Sequence, residues 1–451
     1  MVILRKIPQN YLFSKIDLKK LIVPLVIEQF LTIAVGLIDS MMVASVGESA
    51  VSAISLVDTV NILIINIFTA LATGGAVVAG QYIGMKQEHN SCKAANQTLI
   101  FTTLIALFVM IIVYVLKNFI LHTVFGQIED DVANYANTYL LIVSASIPFI
   151  GMYNAGAAIF RAMGNSKVSM NTSLIMNLVN IVGNAILIYC FHMEIAGAAI
   201  PTLISRIVAA VVIVVRLGNQ DLQIHIDRPF KLKFDWRMIK KILRIGIPNS
   251  LENSMFQLGK ILVLTIVTAF GTRAITANAV SNTIAMFQIL PGMAICQAIL
   301  TVSSQCVGAN DYKQLDFYIK RLMKTIYVFV VAINVVVVAI LPLILKAYNL
   351  SSETTEIAKQ IIWYHAICTC TIWPLSFALP NSLRAANDVM FTMIVAILSM
   401  WIFRIGASVV IAKWLGLGVL GVWIAMTIDW FVRAIIFVIR YKYKIKSKCK
   451  I

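Results

Sequence analysis

Charged side chains are scarce in this chain, and that scarcity excludes most soluble folds. Of its 451 residues, 13% are Asp, Glu, Lys or Arg and 60% are hydrophobic. A soluble domain carries roughly 25% charged residues. Most of the sequence consists of apolar segments that are long enough to cross a bilayer, which takes about 20 residues. The composition therefore predicts an all-α membrane protein.

Acidic residues are fewer than basic ones: 20 Asp and Glu stand against 37 Lys and Arg, a net charge of +17. Such a charge would suit nucleic-acid binding, but the basic residues collect in alternate connections between apolar segments, where membrane topology explains them. The opposite connections hold only Lys117, Arg273, Lys346, Lys359 and Lys413. We therefore expect no nucleic-acid partner, and a multi-pass protein of the cell membrane with both termini in the cytoplasm.

Motifs for enzymatic chemistry are also missing. The seven cysteines have no metal-ligand spacing, the five histidines form no H-E-x-x-H pattern, and the sequence contains no P-loop. An intramembrane enzyme would need paired metal-binding carboxylates or a nucleophile with a base, and neither is recognisable. We therefore predict that the protein is not an enzyme and uses no cofactor or bound metal, apart from a coupling ion.

The apolar segments predict twelve transmembrane helices. We interpret the basic stretch 218–242 as a cytoplasmic linker between an N-terminal lobe (1–217) and a C-terminal lobe (243–440), with a basic cytoplasmic tail at 441–451. The predicted spans are 20–45, 51–83, 95–117, 133–160, 168–190, 194–217, 243–269, 274–307, 320–346, 357–381, 390–413 and 418–440.

The two halves of the chain resemble each other at a fixed offset, which is close to half the chain length. Pro24 recurs as Pro248, and Glu28 recurs as Glu252. Because both halves begin on the inner side, the two repeats have the same orientation in the membrane. The repeat therefore predicts two pseudo-symmetric bundles of six helices with a substrate path between them. Further pairs at the same offset are Gly47 and Gly271, Gln81 and Gln305, Gly84 and Gly308, and Gly197 and Gly421.

Several strings, taken in their order and duplication, resemble the multidrug and toxic compound extrusion (MATE) family of cation-coupled exporters. The resemblance covers almost the whole chain. The strings are PLVIEQFLTIAVGLIDSMMVASVG (24–47), GQYIGMK (80–86) with its echo SQCVGAN (304–310), RAMGNSK (161–167) with its echo RAANDVM (384–390), NLVNIVGNAILIY (177–189), GAAIPT (197–202) and GVWIAMTIDW (421–430).

The resemblance implies a cation-coupling site around Asp39 in the first span. In relatives, the aspartate at this place binds H+ or Na+, helped by polar residues on spans five and six, which here are Asn177, Asn180, Asn184 and Thr202. Many relatives carry a second aspartate where this chain has Asn184. The remaining amide and hydroxyl oxygens are still suitable ligands for Na+. The alternative for Asp39 is a structural hydrogen-bond centre.

The repeat isolates this site in the N-terminal half. At the offset of the repeat, Val263 stands in place of Asp39 and Met426 in place of Thr202. We therefore expect ion coupling in the N-terminal lobe only. Asp58, at the start of span two, is a further member of the site or a solvated residue near the outer mouth.

The repeated Pro-x-x-x-Glu element suggests a central role in binding or bending. We expect Pro24 and Pro248 to act as hinges, because a proline inside a helix frees carbonyl groups and kinks it. Glu28 and Glu252 would face a shared chamber and attract cations or take up protons, or would only shape the helix bends. Soft and aromatic side chains are further candidates for the substrate chamber: Met152, Tyr153, Met286 and Phe287.

Three charged residues in the last two spans suggest a structural ion pair. Arg404 and Asp429 fall at similar depth on adjacent antiparallel helices, and Arg433 follows Asp429 by four residues, one helical turn. Burying a charge in a bilayer is costly, so such residues need a partner or a function. We predict that these three pair with each other.

We predict a monomeric secondary antiporter that exports small amphipathic, mostly cationic compounds in exchange for H+ or Na+ by alternating access. The main alternative is a flippase for lipid-linked saccharides or other amphiphiles from the same superfamily, which would be expected to have a strongly basic chamber. A receptor-like or scaffold membrane protein fits the two-lobe repeat and the buried acids poorly.

Overall fold

The computed structural model describes residues 7–8, 10–126, 129–226 and 234–450. All regular elements of this part of the chain are helices. Helices satisfy every backbone hydrogen bond internally, which a bilayer requires. The α-helices are α1 Lys15–Ala44, α2 Glu48–Gly84, α3 Glu88–Val115, α4 Lys117–Phe119, α5 Asp130–Ala145, α6 Ile147–Ala162, α7 Ser166–Asn184, α8 Ala196–Leu217, α9 Trp236–Thr268, α10 Thr272–Gly308, α11 Tyr312–Ala347, α12 Ser352–Thr371, α13 Pro380–Ala385, α14 Val389–Ser399 and α15 Gly418–Tyr441.

Several of these helices continue into short π-helical segments. The segments after α7 and α14 extend the two helices to Cys190 and Trp414, within the predicted fifth and eleventh spans. The π-helical segments are Ile120–Val124, Ala185–Cys190, Pro374–Ala378, Met400–Gly406, Val409–Trp414 and Lys442–Lys446, and a 3-10 turn follows at Lys448–Lys450.

The number of candidate spans differs from the twelve predicted. By length and composition, nine helices of the described residues can cross a membrane, or up to eleven if each of two bent pairs is one span. The bent pairs are Asp130–Ala145 with Ile147–Ala162, at 46°, and Ser352–Thr371 with Pro374–Ala385, at 58°. The predicted seventh span, 243–269, lies in α9, which does not qualify because charged and amide side chains interrupt its apolar sequence. Twelve spans in two bundles are therefore not confirmed.

The repeat is visible in the positions of the helices. Helices α2 and α10 are each 37 residues long, and their first residues, Glu48 and Thr272, are separated by the same offset as the repeated prolines. The residue before each helix is a glycine with positive φ, 142° at Gly47 and 85° at Gly271. A side chain other than glycine is strained in that backbone region, so the repeated glycines are needed for the tight turns into α2 and α10.

The described chain divides into two compact units. The N unit is Val23–Ser250, and the C unit is Met1–Ile22 together with Leu251–Ile451. The division falls inside α1 and α9, close to Pro24 and Pro248, whereas the lobes predicted from the sequence meet at the 218–242 linker. The end of that linker, residues 236–242, is also helical, since α9 begins at Trp236. Residues 227–233 of the linker lie outside the described residues.

Buried side chains form separate cores in the two units. In the N unit, Phe68, Val57 and Tyr139 belong to one large cluster of apolar residues from α2, α3, α5 and α6. In the C unit, α10, α11 and α12 share a cluster that includes Val280 and Leu341. Trp373 packs directly on Gly292, where any added Cβ would clash with the indole ring. This packing fixes the helices that present polar side chains to the unit interiors.

Candidate functional site

The residues predicted for ion coupling lie on three helices of the N unit. Asp39 is on α1, Asn180 and Asn184 are one turn apart on α7, and Thr202 is on α8. Helices α7 and α8 approach closely beside these residues. An added Cβ at Gly183 would lie 2.7 Å from Pro201 Cβ, so glycine is needed for this contact. The sequence therefore places amide and hydroxyl groups opposite the Asp39 carboxylate.

Four of the five predicted residues form one hydrogen-bond network. Asn184 Nδ2 donates to Asp39 Oδ1 at 3.1 Å. With its amide nitrogen turned toward Asp39, Asn180 donates to both carboxylate oxygens at 3.0 Å and accepts from Thr202 Oγ1 at 3.1 Å. Asn180 and Asn184 are buried, and Asp39 is half-buried. The carboxylate thus has up to three N–H donors from α7.

The opposite orientation of the Asn180 amide has a different consequence. Asn180 Nδ2 then donates to Thr202 Oγ1 at 3.1 Å, and Thr202 Oγ1 donates to the Ala198 carbonyl at 2.9 Å. The Asn180 amide oxygen then faces the Asp39 carboxylate. Two oxygens facing each other repel unless a proton or a metal cation lies between them.

The fifth predicted residue, Asn177, stands apart from this network. It lies on α7, three residues before Asn180, and is half-buried. Its amide nitrogen is buried without an acceptor, and it makes no hydrogen bond to Asp39. The structure therefore brings together Asp39, Asn180, Asn184 and Thr202 but not Asn177.

A second carboxylate approaches Asp39 from α2. Asp58 interacts electrostatically with Asp39 and with the Arg206 guanidinium, and its carboxylate accepts a hydrogen bond from Asn61 at 3.4 Å. Arg206 follows Thr202 by one turn on α8 and donates to Ser146 Oγ at 2.7 Å. Sequence reasoning missed Arg206, although its spacing from Thr202 puts both on one helix face.

Glu28 has partners at the C-terminal end of α6 and the start of α7. Its Oε1 lies 3.6 Å from Arg161 NH1, and Ser169 Oγ donates to it at 3.0 Å. Arg161 also donates to Ser169 Oγ at 3.1 Å. Tyr153, predicted to line the chamber, is buried beside this group and interacts with Glu28 and Arg161.

Glu252 has the equivalent arrangement in the C unit. Its Oε1 accepts from Arg384 NH2 at 2.6 Å and lies 3.9 Å from Arg433 NH2. Arg161 and Arg384 begin the duplicated strings RAMGNSK and RAANDVM. The repeat therefore contains a Glu–Arg pair in each unit, which sequence reasoning missed because the partners are far apart in the sequence.

The predicted charged group of the last two spans is buried. Arg404 NH2 lies 3.0 Å from Asp429 Oδ2, and Arg433 NH1 lies 3.9 Å from the same oxygen. Ser399 Oγ donates to Asp429 Oδ1 at 2.5 Å. Asp429 is fully buried, and both arginines are nearly so.

The remaining chamber candidates differ in exposure. Met286 is exposed, whereas Met152 and Phe287 are partly buried. Pro24 and Pro248 lie inside the continuous helices α1 and α9. Their predicted roles in binding and bending stay predictions. Within the described residues, no three His, Cys, Asp or Glu side chains cluster as metal ligands.

The sequence is similar to a known protein family and to proteins of Bacillus subtilis. The sequence model of the family described as MatE matches residues 24–186 and again 248–410, two stretches separated by the offset of the repeat. The "Uncharacterized transporter YisQ" of Bacillus subtilis (strain 168) is 26% identical over 94% of this chain and 93% of its own length. The "Probable multidrug resistance protein YoeA" of the same strain is 26% identical over 95% of this chain and 93% of its own length.

The fold also has close matches among solved structures. One is described as "Outward-facing conformation of a multidrug resistance MATE family transporter of the MOP superfamily". It superposes with a TM-score of 0.89 at 21% identity and covers 96% of each chain. At this identity the likeness concerns the fold alone.

Proposed function

Because the chain belongs to the MATE family of transporters, we propose that it is a secondary antiporter that exports small amphipathic compounds in exchange for inward H+ or Na+ at the Asp39 site. Its membership makes it a multi-pass membrane transporter, and the name of the relative YoeA supports multidrug efflux. We further propose that it acts as a monomer in the cell membrane, with both termini cytoplasmic, by alternating access.

The polar surroundings of Asp39 support ion coupling, because Asn180, Asn184 and Thr202 form one hydrogen-bond network with its carboxylate. When a cation lies at Asp39, the Asn180 amide oxygen can face the carboxylate while the nitrogen donates to Thr202. When the cation leaves, the amide nitrogen can turn and donate to both oxygens of Asp39. Both states satisfy the polar groups, so one carboxylate can exchange its cation without becoming an unpaired buried charge. Asp39 and Asn180 are on different helices, and the exchange therefore alters the contact between α1 and α7.

The proposed step from ion binding to export is a change in α1. Pro24 removes a hydrogen bond from this helix, fifteen residues before Asp39. Loss of the Asn180 and Asn184 hydrogen bonds would release the outer half of α1 and favour bending near Pro24.

The prediction of cationic substrates loses its original support. It depends on Glu28 and Glu252 as acids that attract cations, and each of these carboxylates has an arginine partner. Neither group adds a net negative charge where a substrate would bind. The proposal is therefore limited to amphipathic compounds, without a preference for positive charge.

The experiment that tests ion-coupled export uses the purified full-length protein in proteoliposomes. Uptake or release of ethidium and of 1-pyrenebutyrate is followed by fluorescence while a pH gradient and a Na+ gradient are imposed separately. We expect at least one gradient to drive transport of at least one dye against its concentration gradient. If both dyes only equilibrate across the membrane, whichever gradient is imposed, the result would contradict antiport.

A further inference from the structure

One face of α9 carries charged and aromatic side chains at regular spacing. Glu252, Phe256 and Lys260 follow each other at intervals of four residues, so they form a stripe along the helix. The Glu252 carboxylate forms an ion pair with Arg384, with 2.6 Å between Oε1 and NH2. Lys260 lies two turns from Glu252 and is exposed. Among the described residues, no carboxylate lies within ion-pair distance of the Lys260 ammonium.

A second cation lies beside Lys260. The Lys260 Nζ atom is 5.1 Å from the centroid of the Phe256 ring, and Arg404 Cζ is 4.9 Å from the same centroid. The two positive charges repel each other. An aromatic ring offsets only part of this repulsion, because it attracts a cation without supplying a negative charge.

The surroundings do not neutralise these charges. We define the basic cluster as Lys260, Arg384, Arg404 and Arg433. Ion pairs with Glu252 and Asp429 connect the three arginines, and the Phe256 ring connects Arg404 with Lys260. Three arginines therefore share two carboxylates, and Lys260 adds a fourth positive charge. Charge within apolar helices is costly unless it has a partner or a function. The cluster thus has a net positive charge with no protein group to balance it among the described residues.

Hydrogen-bond donors in the cluster are also unused. The Nε atoms of Arg384, Arg404 and Arg433 are buried without an acceptor. Buried guanidinium donors are normally satisfied, since leaving one without an acceptor is costly. Arg404 and Arg433 have exposures of 4% and 3%, whereas Lys260 is exposed. A ligand that reaches the cluster therefore meets Lys260 first.

From this arrangement we infer that the basic cluster of the C unit binds the anionic group, a carboxylate or a phosphate, of an amphipathic substrate. The inference rests on the proposed function and adds the charge of the compound that is exported. Lys260 receives the anion, and the apolar part of the substrate packs on aromatic and aliphatic surfaces near Phe256. The ion site at Asp39 is in the N unit, so substrate and coupling ion use different residues.

Equilibrium binding tests this inference without any ion gradient, so its failure is separate from failure of antiport. The full-length protein is placed in nanodiscs of zwitterionic phosphatidylcholine, with empty nanodiscs as the blank. Three probes share one ring system and differ in their head group: 1-pyrenebutyrate, 1-pyrenebutanol and 4-(1-pyrenyl)butyltrimethylammonium. We expect the carboxylate to bind at least about tenfold more tightly than the other two, because only the carboxylate can accept charge-assisted hydrogen bonds from the cluster.

Variants of Lys260 identify the site. Lys260→Gln removes a charge without leaving a carboxylate unpaired, so we expect it to fold, to weaken 1-pyrenebutyrate binding about tenfold, and to leave 1-pyrenebutanol binding within about twofold. Lys260→Arg retains the charge and should keep most of the affinity. The matched control is Lys413→Gln, an exposed lysine of the same unit.

Three outcomes would overturn the inference. The first is equal or tighter binding of the trimethylammonium probe. The second is unchanged 1-pyrenebutyrate binding in Lys260→Gln, or a loss that the 1-pyrenebutanol probe and the Lys413→Gln control share. The third is displacement of 1-pyrenebutyrate by inorganic phosphate at equal concentration, because a site for free anions would not need the apolar part of an amphiphile.

Discussion

At the scale of single residues, each of the two repeated glutamates has an arginine partner, so the two residues can be compared directly. Glu28 and Glu252 each lie near the arginine of a duplicated R-A motif, Arg161 at 3.6 Å and Arg384 at 2.6 Å. Among the described residues, Asp39 has no arginine at ion-pair distance, and the second half of the sequence has no counterpart of it. Paired acids suit helix positioning, whereas an acid whose hydrogen-bond donors are neutral amides suits reversible cation binding.

The glutamate pairs predict unequal effects on stability. Glu252→Gln leaves Arg384 and Arg433 without their shared carboxylate, and breaking a buried ion pair costs about 3–5 kcal/mol. Glu28→Gln should cost less, because Arg161 still donates to Ser169. Thermal unfolding of both purified variants at neutral pH checks this order. Equal stability of Glu252→Gln and the unaltered protein would show that the pair is not structural.

At the scale of helices, the coupling site depends on the approach of α7 to α8. Gly183 is the contact point, since an added Cβ would lie 2.7 Å from Pro201 Cβ and 3.0 Å from its Cγ. The Asn180–Thr202 hydrogen bond lies directly beside this contact. Helix geometry and the ion site are therefore linked through one glycine.

Substitution of that glycine tests the link. Gly183→Ala should push α7 from α8, lower stability by about 1–3 kcal/mol through overpacking and reduce ion-coupled transport. The control is Gly36→Ala on α1, where nothing lies within 4 Å of an added Cβ. That control should be neutral or slightly stabilising, by about 0.5–1 kcal/mol. Matching transport rates and unfolding temperatures in the two variants would argue against the link.

At the scale of the whole molecule, the internal repeat was the feature most accessible from sequence. Composition predicts the helices and the repeat predicts two related halves, and the family resemblance is confirmed by two matches of the MatE model at the offset of the repeat. Helices α2 and α10 begin at equivalent residues because the turn glycines recur with them. The count of twelve spans is not confirmed, since polar side chains interrupt α9.

The candidate sites were predictable only where short-range spacing or the family resemblance pointed to them. Asn180 and Asn184 are one turn apart, and the structure joins both to Asp39. The arginine partners of Glu28 and Glu252 were missed, since tertiary packing joins residues far apart in the sequence. The excess positive charge around Lys260 was missed for the same reason: its members come from α9, α13, α15 and the π-helical segment after α14.

The central claim is that Asp39 couples ion movement to export, and Asp39→Asn tests it most directly. Ion-driven efflux is measured in inverted vesicles with expression matched to the unaltered protein, and Glu48→Gln, an exposed acid of the same unit, is the control. We predict that Asp39→Asn abolishes gradient-driven transport, that Glu48→Gln retains it, and that 1-pyrenebutyrate binding changes less than about twofold in both. Full ion-driven efflux by Asp39→Asn would contradict the account.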